Sequence, residues 1–215
     1  MSDSNLNEDV EEELSLCPST LAALQEFYAE REEREKLEKS VLDNEILFDE
    51  NWQLSQFWYD DETIKKLTKG AIRSTENNAR IALVSCPTLY KSVKNVCGDR
   101  EVTLFEYDQR FRAFGSDYVP YDYNDPLNFP HKLIESYDLV IADPPFLSEE
   151  CLTKTASTIK SLTKGKILIC TGAVMKELAE KLLNVTKCKF EPSHRNNLAN
   201  EFWCYSNFEF DKALK

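Results

Sequence analysis

Glycine is scarce in this chain, five residues in 215, and none stands in the turn after the first apolar strand, Ser85-Cys86-Pro87-Thr88. A dinucleotide-binding fold needs glycine there so that backbone can approach a pyrophosphate, and NAD is therefore disfavoured. Histidine is rarer still, with two residues, and the seven cysteines are odd in number and contain no CxxC pair. Metal-ligand spacing is missing, so no metal site is expected and the thiols read as reduced, small apolar residues of a cytoplasmic protein. Basic residues are outnumbered, 26 Lys and Arg against 38 Asp and Glu, for a net charge of −12. No basic stripe breaks that excess. Proteins that grip a phosphate backbone draw most of their affinity from such a stripe, so nucleic acid is a poor partner and a basic protein a better one. No run approaches the roughly 18 apolar residues of a membrane span, and the first residues are acidic rather than basic-then-apolar, so neither a membrane segment nor a signal peptide is expected.

Three segments differ in composition. Residues 1–16 carry Asp3, Glu8, Asp9, Glu11, Glu12 and Glu13 with no base, too little apolar surface to offset ordering entropy, and a disordered tail is expected. Residues 17–50 form a helical extension in which Leu21, Leu24, Phe27 and Tyr28 recur at helical spacing. Residues 51–215 hold the remaining domain. There Asp60 is placed to cap a helix running through Ile64, Leu67 and Ile72. Strand candidates follow at Ile81–Ser85, Val102–Glu106, Tyr118–Tyr121, Leu139–Ala142 and Lys166–Cys170, alternating with helical or crossover segments. That rhythm predicts parallel βαβ units and an open doubly wound sheet. Two further strands, Lys187–Glu191 and Phe202–Phe208, come without a helix between them and suggest an antiparallel hairpin at one edge. The expected architecture is an α/β, Rossmann-like seven-stranded sheet of the class I methyltransferase type.

Ligands of open α/β sheets bind beyond the carboxyl ends of the strands. The second strand ends in Glu106-Tyr107-Asp108, an acid where a ribose diol needs an acceptor. The third ends in Asp122-Tyr123-Asn124, an acid and an aromatic suited to an adenine ring. The fourth ends in Asp143-Pro144-Pro145-Phe146. Two prolines fix φ and carry no N–H, leaving a rigid corner whose carbonyl, with the Asp143 carboxylate, can accept from a substrate amine while the ring packs on it. Each acid alone is more often a cap or turn residue; three at successive strand ends carry the argument.

The block Leu139-Val140-Ile141-Ala142-Asp143-Pro144-Pro145-Phe146 resembles the [DNS]PP[YFW] motif of amino-group N-methyltransferases, first associated with N6-adenine enzymes. Gln53–Tyr59, Phe105–Asp108, Tyr121–Asn124, Ala142–Phe146 and Asn197–Phe202 together resemble the eukaryotic translation elongation factor 1-alpha lysine methyltransferases of the Efm5 type, over about residues 18–208. That family was once taken for N6-adenine DNA methyltransferases because of its Asp-Pro-Pro-aromatic corner. The resemblance implies S-adenosylmethionine as cofactor and a lysine of elongation factor 1-alpha as substrate. It also implies that Gln56, Phe57, Trp58 and Tyr59 form a cofactor-contacting segment ahead of strand one. Phe146 stands where many relatives carry Tyr, so ring packing is kept and a phenol is not.

The expected site is then as follows. Asp143, Pro144, Pro145 and Phe146 do the catalytic positioning. Ser85, Cys86, Pro87, Glu106, Tyr107, Asp108, Asp122, Tyr123 and Asp143 join Gln56–Tyr59 around the cofactor, and Phe146, Asn197, Asn200 and Trp203 meet the substrate. An N6-adenine nucleic-acid methyltransferase is the alternative activity, and a non-catalytic methyltransferase-like binding subunit is a second alternative that the glycine-free turn keeps open. Acidic charge favours the lysine reading over the adenine one, since base flipping needs clamps on the backbone.

Overall fold

A computed structural model describes Tyr28 and residues 50–215 apart from Asn197. The acidic tail expected over 1–16 lies outside the described residues, as does the extension expected over 17–50 except for Tyr28, which is helical, and Glu50.

Helix α1 spans Asp61–Arg73, and the Asp60 carboxylate caps it by accepting from the Thr63 N–H at 2.7 Å. Asp61 and Glu62 in its first turn and Arg73 in its last complement the helix dipole. The strands are β1 Arg80–Val84, β2 Glu101–Glu106, β3 Tyr118–Pro120, β4 Tyr137–Ala142, β5 Thr163–Gly172, β6 Thr186–Lys187 and β7 Phe202–Ser206. Helices α2 Tyr90–Val96, α3 Glu149–Leu162, α4 Lys176–Leu183 and α5 Phe210–Ala213 complete the main elements. The sheet order is β3-β2-β1-β4-β5-β7-β6. β1 to β5 pair in parallel, while β7 runs antiparallel between β5 and β6.

Side-chain alternation splits the core between the two faces. Ile81 and Leu83 of β1 join the cluster under α1, α2 and α5, while Ala82 and Val84 join that under α3 and α4. Burying each large apolar side chain contributes roughly 1.5–3 kcal/mol relative to exposure. Gly70 of α1 gives up a side chain so that the buried Phe210 ring can lie against the helix; an added Cβ would stand 2.2 Å from Phe210 Cε2.

The hairpin expected at Lys187–Glu191 is shorter than its apolar pattern suggested. β6 ends at Lys187 and one further ladder bond, from the Cys188 N–H to the Cys204 carbonyl, extends it. Beyond that point the Asp211 carboxylate takes the Lys189 and Phe190 N–H groups at 2.8 and 3.1 Å, so the ladder has no donors left to continue with.

The register positions the site. Val84 is level with Phe105 on one side and with Ala142 on the other, so Ser85, Glu106 and Asp143 emerge together at the carboxyl edge. The ladder runs on past the strands, from Ser85 N–H to Phe105 O at 2.8 Å and from Asp143 N–H to Val84 O at 3.0 Å, fixing where the turns begin.

Candidate active site

One cavity of about 440 Å³ opens at that carboxyl edge. Its floor is the set of strand ends. After β1 the backbone turns at Ser85 with φ +55°, the left-handed region for which glycine is the usual choice, and Ser85, Pro87 and Thr88 line the wall. The turn is therefore made without glycine, at a conformational cost of about 1–2 kcal/mol for a non-glycine residue. At the end of β2 stands Glu106, buried yet open to the cavity, with Tyr107 exposed at the rim. After β4 the Asp143-Pro144-Pro145-Phe146 corner forms the opposite wall, with Phe146 meeting Tyr123 edge-on at 5.8 Å between ring centroids.

The roof is made from two segments that are distant in sequence. One is the strap Gln53–Trp58, ahead of α1; the other is the loop between β6 and β7, from which His194 and Leu198–Asn200 face the cavity. They meet at an antiparallel bridge between Tyr59 and His194, with Asp60 N–H donating to Ser193 O at 3.0 Å and Arg195 N–H to Trp58 O at 2.8 Å. Glu50 fastens the same junction. Its carboxylate accepts from Trp52 Nε1 at 2.9 Å, Trp58 N at 2.7 Å and Asn196 Nδ2 at 2.6 Å. Burial pushes the Glu50 carboxyl up, but these donors outweigh it and the net shift is downward.

Two acids at the floor are shifted alike. Burial raises Glu106 to about 7; N–H donors from Asp108 and Gln56 work against the rise, and the Asp108 charge adds to it. Burial likewise raises Asp143 to about 7, opposed by a hydrogen bond from Tyr59 and reinforced by the Glu106 charge. Among the described residues neither forms a salt bridge. Such a pair is poised to meet a cationic ligand or hydroxyl donors, which would restore the charged form. His194 is shifted down by burial, against the pull of Glu50 and Asp60, so its imidazole is neutral at pH 7.

Among the residues singled out from sequence, Gln56, Phe57, Trp58, Ser85, Pro87, Glu106, Tyr107, Asp122, Tyr123, Asp143, Pro144, Pro145, Phe146 and Asn200 surround this one cavity. Four others lie off its wall. Tyr59 is 1% exposed and sits in the core behind the strap. Cys86 is equally buried, its Sγ 3.5 Å from the Ile141 carbonyl. Asp108 faces away, accepting from Gln56 Nε2 at 3.0 Å and Arg110 Nε at 2.8 Å, and so anchors the strap rather than meeting a ligand. Trp203 packs against the α3–α4 side of the core under the Lys187 ammonium, 3.8 Å from its ring, and the cavity is lined instead by its neighbour Phe202. Asn197 lies outside the described residues. The sequence reading passed over Gln53, Leu54, Ser55, Thr88, Tyr121, Leu147, Leu198, Ala199 and Phe202 as lining residues. Adjacency to the motifs was the only signal for them.

The family model described as "Probable N6-adenine methyltransferase" matches residues 50–210. EEF1A lysine methyltransferase 1 of Gallus gallus is 51% identical over 208 residues, covering 94% of this chain and 98% of that protein. The chain belongs to the EEF1A lysine methyltransferase 1 family. The protein-lysine N-methyltransferase EFM5 of Saccharomyces cerevisiae is 36% identical over 228 residues, with 91% of this chain and 92% of the yeast protein covered. Among solved structures, the branched-chain polyamine synthase of Thermus thermophilus, in complex with N4-aminopropylspermidine and 5'-methylthioadenosine, superposes with a TM-score of 0.58 at 10% identity, over 80% of this chain and 62% of that one. That likeness concerns the fold alone. As a member of the EEF1A lysine methyltransferase 1 family, the chain is an S-adenosylmethionine-dependent methyltransferase on a class I sheet. The floor fits the cofactor: a buried carboxylate without a cation, at the end of β2 and open to a cavity large enough for a drug-sized ligand, is an acceptor for a ribose diol.

Proposed function

We propose that this protein transfers a methyl group from S-adenosylmethionine to the side-chain amine of a lysine of translation elongation factor 1-alpha, in the cytoplasm. The observation that carries the reading is the Asp-Pro-Pro-Phe corner beside Glu106 on one cavity, in a chain aligned almost end to end with relatives that bear that activity in their names. Glu106 holds the ribose hydroxyls, Asp122 and Tyr123 flank the adenine, and Gln56, Phe57 and Trp58 cover the cofactor from the roof. Bound there, the cofactor supplies an electrophilic methyl group.

This chain's own residues prepare the nucleophile. A lysine enters as an ammonium of reference pKa about 10.4 and must lose a proton before its lone pair is free. Phe146, Tyr123 and Phe202 line the cavity with apolar surface, and desolvation among them favours the neutral amine. Asp143 and the Pro144 carbonyl accept hydrogen bonds from the amine and aim its lone pair. Asp143 pairs with the ammonium as it arrives and so raises its pKa, opposing the desolvation; water or Asp143 takes the proton. Positioning and exclusion of water, rather than strong acid–base chemistry, do most of the work.

The test is methyl transfer from tritiated cofactor to purified elongation factor 1-alpha, with mass spectrometry to find the modified lysine. Asp143→Ala should lower kcat roughly 100- to 1000-fold at saturating cofactor; unchanged turnover in that variant would remove Asp143 from the mechanism. The family model's own description keeps an adenine target as the second reading. A net charge of −12 counts against it, and label that nuclease removes and protease spares would establish it.

A further inference from the structure

The segment after β3 carries Tyr121, Asp122, Tyr123 and Asn124 onto the cavity wall, yet beyond Tyr121 neither ladder nor helix holds it until the helical turn at His131. Internal turns shape it: the Asp122 carboxylate accepts from Asn124 N at 2.8 Å, and the Asp122 carbonyl from Asp125 N at 3.0 Å. Phe129 anchors its far end on Phe105, with ring centroids 5.9 Å apart. Among the described residues, the side-chain hydrogen bonds that tie it to the rest of the fold come from one face of α3. Thr158, fully buried, bonds the Pro126 carbonyl at 2.7 Å and the Tyr121 hydroxyl at 2.9 Å. A carbonyl can only accept, so the Thr158 proton goes to Pro126 and the Tyr121 phenol donates to Thr158. One turn earlier on that face, Lys154 Nζ reaches Asn124 Oδ1 at 3.4 Å and stands 5.8 Å from the centre of the Tyr123 ring. The same helix begins where the Asp-Pro-Pro-Phe corner ends, capped by Ser148 Oγ, which accepts from Cys151 N at 3.2 Å. One helix thus holds both the corner and the segment after β3.

We propose that Thr158 is a positioning residue for the cofactor, whose hydroxyl clamps the segment after β3 and so holds Asp122 and Tyr123 where they flank the adenine ring. The inference rests on the cofactor placement given above and not on the identity of the methyl acceptor. A threonine inside a helix commonly bonds back to the carbonyl four residues before it, yet here the Lys154 carbonyl lies at 3.4 Å and the Pro126 carbonyl at 2.7 Å. The hydroxyl serves the segment rather than its own helix. Thr158 stands behind the cavity wall and touches no ligand itself. A segment ordered before the ligand arrives loses less freedom on binding, so the clamp acts through affinity.

Thr158→Val tests the proposal, because it keeps the branched shape and removes the hydroxyl. Calorimetry of S-adenosylmethionine binding reads the effect without any protein substrate. Affinity should fall roughly tenfold in Thr158→Val and stay within about twofold of the wild type in Thr158→Ser, which keeps the hydroxyl. Methylthioadenosine, which has the adenine and ribose but lacks the amino-acid end, should lose affinity by the same factor. At saturating cofactor kcat should remain within about twofold, since the corner is untouched. A threonine with only a structural role would lower the melting temperature of the valine variant and leave both affinities alone. Should Thr158→Val not fold, Tyr121→Phe removes the other end of the 2.9 Å bond with its hydroxyl directed at α3, and is expected to weaken both ligands about threefold. Undiminished affinity in Thr158→Val, or in Tyr121→Phe where the valine variant does not fold, would overturn the proposal. So would a serine variant as weak as the valine one, or a loss seen with S-adenosylmethionine and absent with methylthioadenosine. A wild type that binds the cofactor and leaves elongation factor 1-alpha unmethylated would instead remove the substrate reading, with the role of Thr158 still standing.

Discussion

Floor and roof of the cavity are built by opposite means. The floor is held by parallel ladder bonds and a core in which Val84, Phe105, Val140 and Ala142 are fully buried, so its functional atoms are placed before any ligand arrives. The roof joins segments some 140 residues apart through the Glu50–Asn196 bond and one two-residue backbone bridge, while Gln56 ties the strap down to Asp108. Their acids differ accordingly: Glu106 is buried without a cation and raised to about 7, whereas Glu50 is ringed by donors and lowered. The floor stores an electrostatic debt that a ligand settles; the roof settles its own.

Glu106→Gln tests that contrast most severely. A charged acceptor lost from a diol contact should weaken cofactor binding about 10- to 100-fold at pH 8, read by calorimetry. The same variant probes stability. Because Glu106 and Asp143 bind protons more tightly in the folded state than in the unfolded one, their contribution is fully present below about pH 4 and is lost as pH rises through 7. The ligand-free wild type should therefore melt at lower temperature at pH 8 than at pH 5.5. Glu106→Gln should flatten that slope, and bound cofactor should do so too. A wild-type slope of the opposite sign would refute the unpaired-acid account of the floor.

Gly70→Ala asks whether the floor's rigidity comes from the packing beneath it. The added methyl collides with Phe210, and a loss of about 1–3 kcal/mol in denaturant melts is expected, outweighing the gain of about 1 kcal/mol in helix propensity, with kcat unchanged. Glu50→Ala should act on the roof alone, raising KM for the protein substrate roughly three- to tenfold through the loosened loop, with little change in melting temperature. Ser85→Gly is the mildest change. It relieves a left-handed residue but adds freedom to the unfolded chain, so stability should move by less than about 1 kcal/mol, while Ser85→Val at the same φ should be clearly destabilising.

The floor was legible in the sequence and the roof largely was not. Apolar runs ending in Glu106 and Asp143, and the Pro-Pro corner, mark strand ends because a buried strand and a rigid turn leave local signals. Nothing local says that residues 50–60 meet residues 193–200, since that pairing is a product of topology. Parity explains another miss. Trp203 was placed at the substrate and Phe202 passed over, yet successive residues of β7 face opposite sides of the sheet, and a shift of one exchanges them. Tyr59 failed differently: it stands in a segment that does border the cavity, but as the first residue turned inward. The missing glycine after β1 had kept a non-catalytic subunit in view, and Ser85 shows that the turn needed the conformation rather than the residue.

The insertion of β7 between β5 and β6 has a bearing on biogenesis. The strand that joins two others is the last of the sheet to leave the ribosome, and until it arrives both neighbours present bare, unpaired edges. A chain stopped short of Phe202 would keep those edges open to foreign strands, so truncation should show itself as clumping long before it shows as lost turnover.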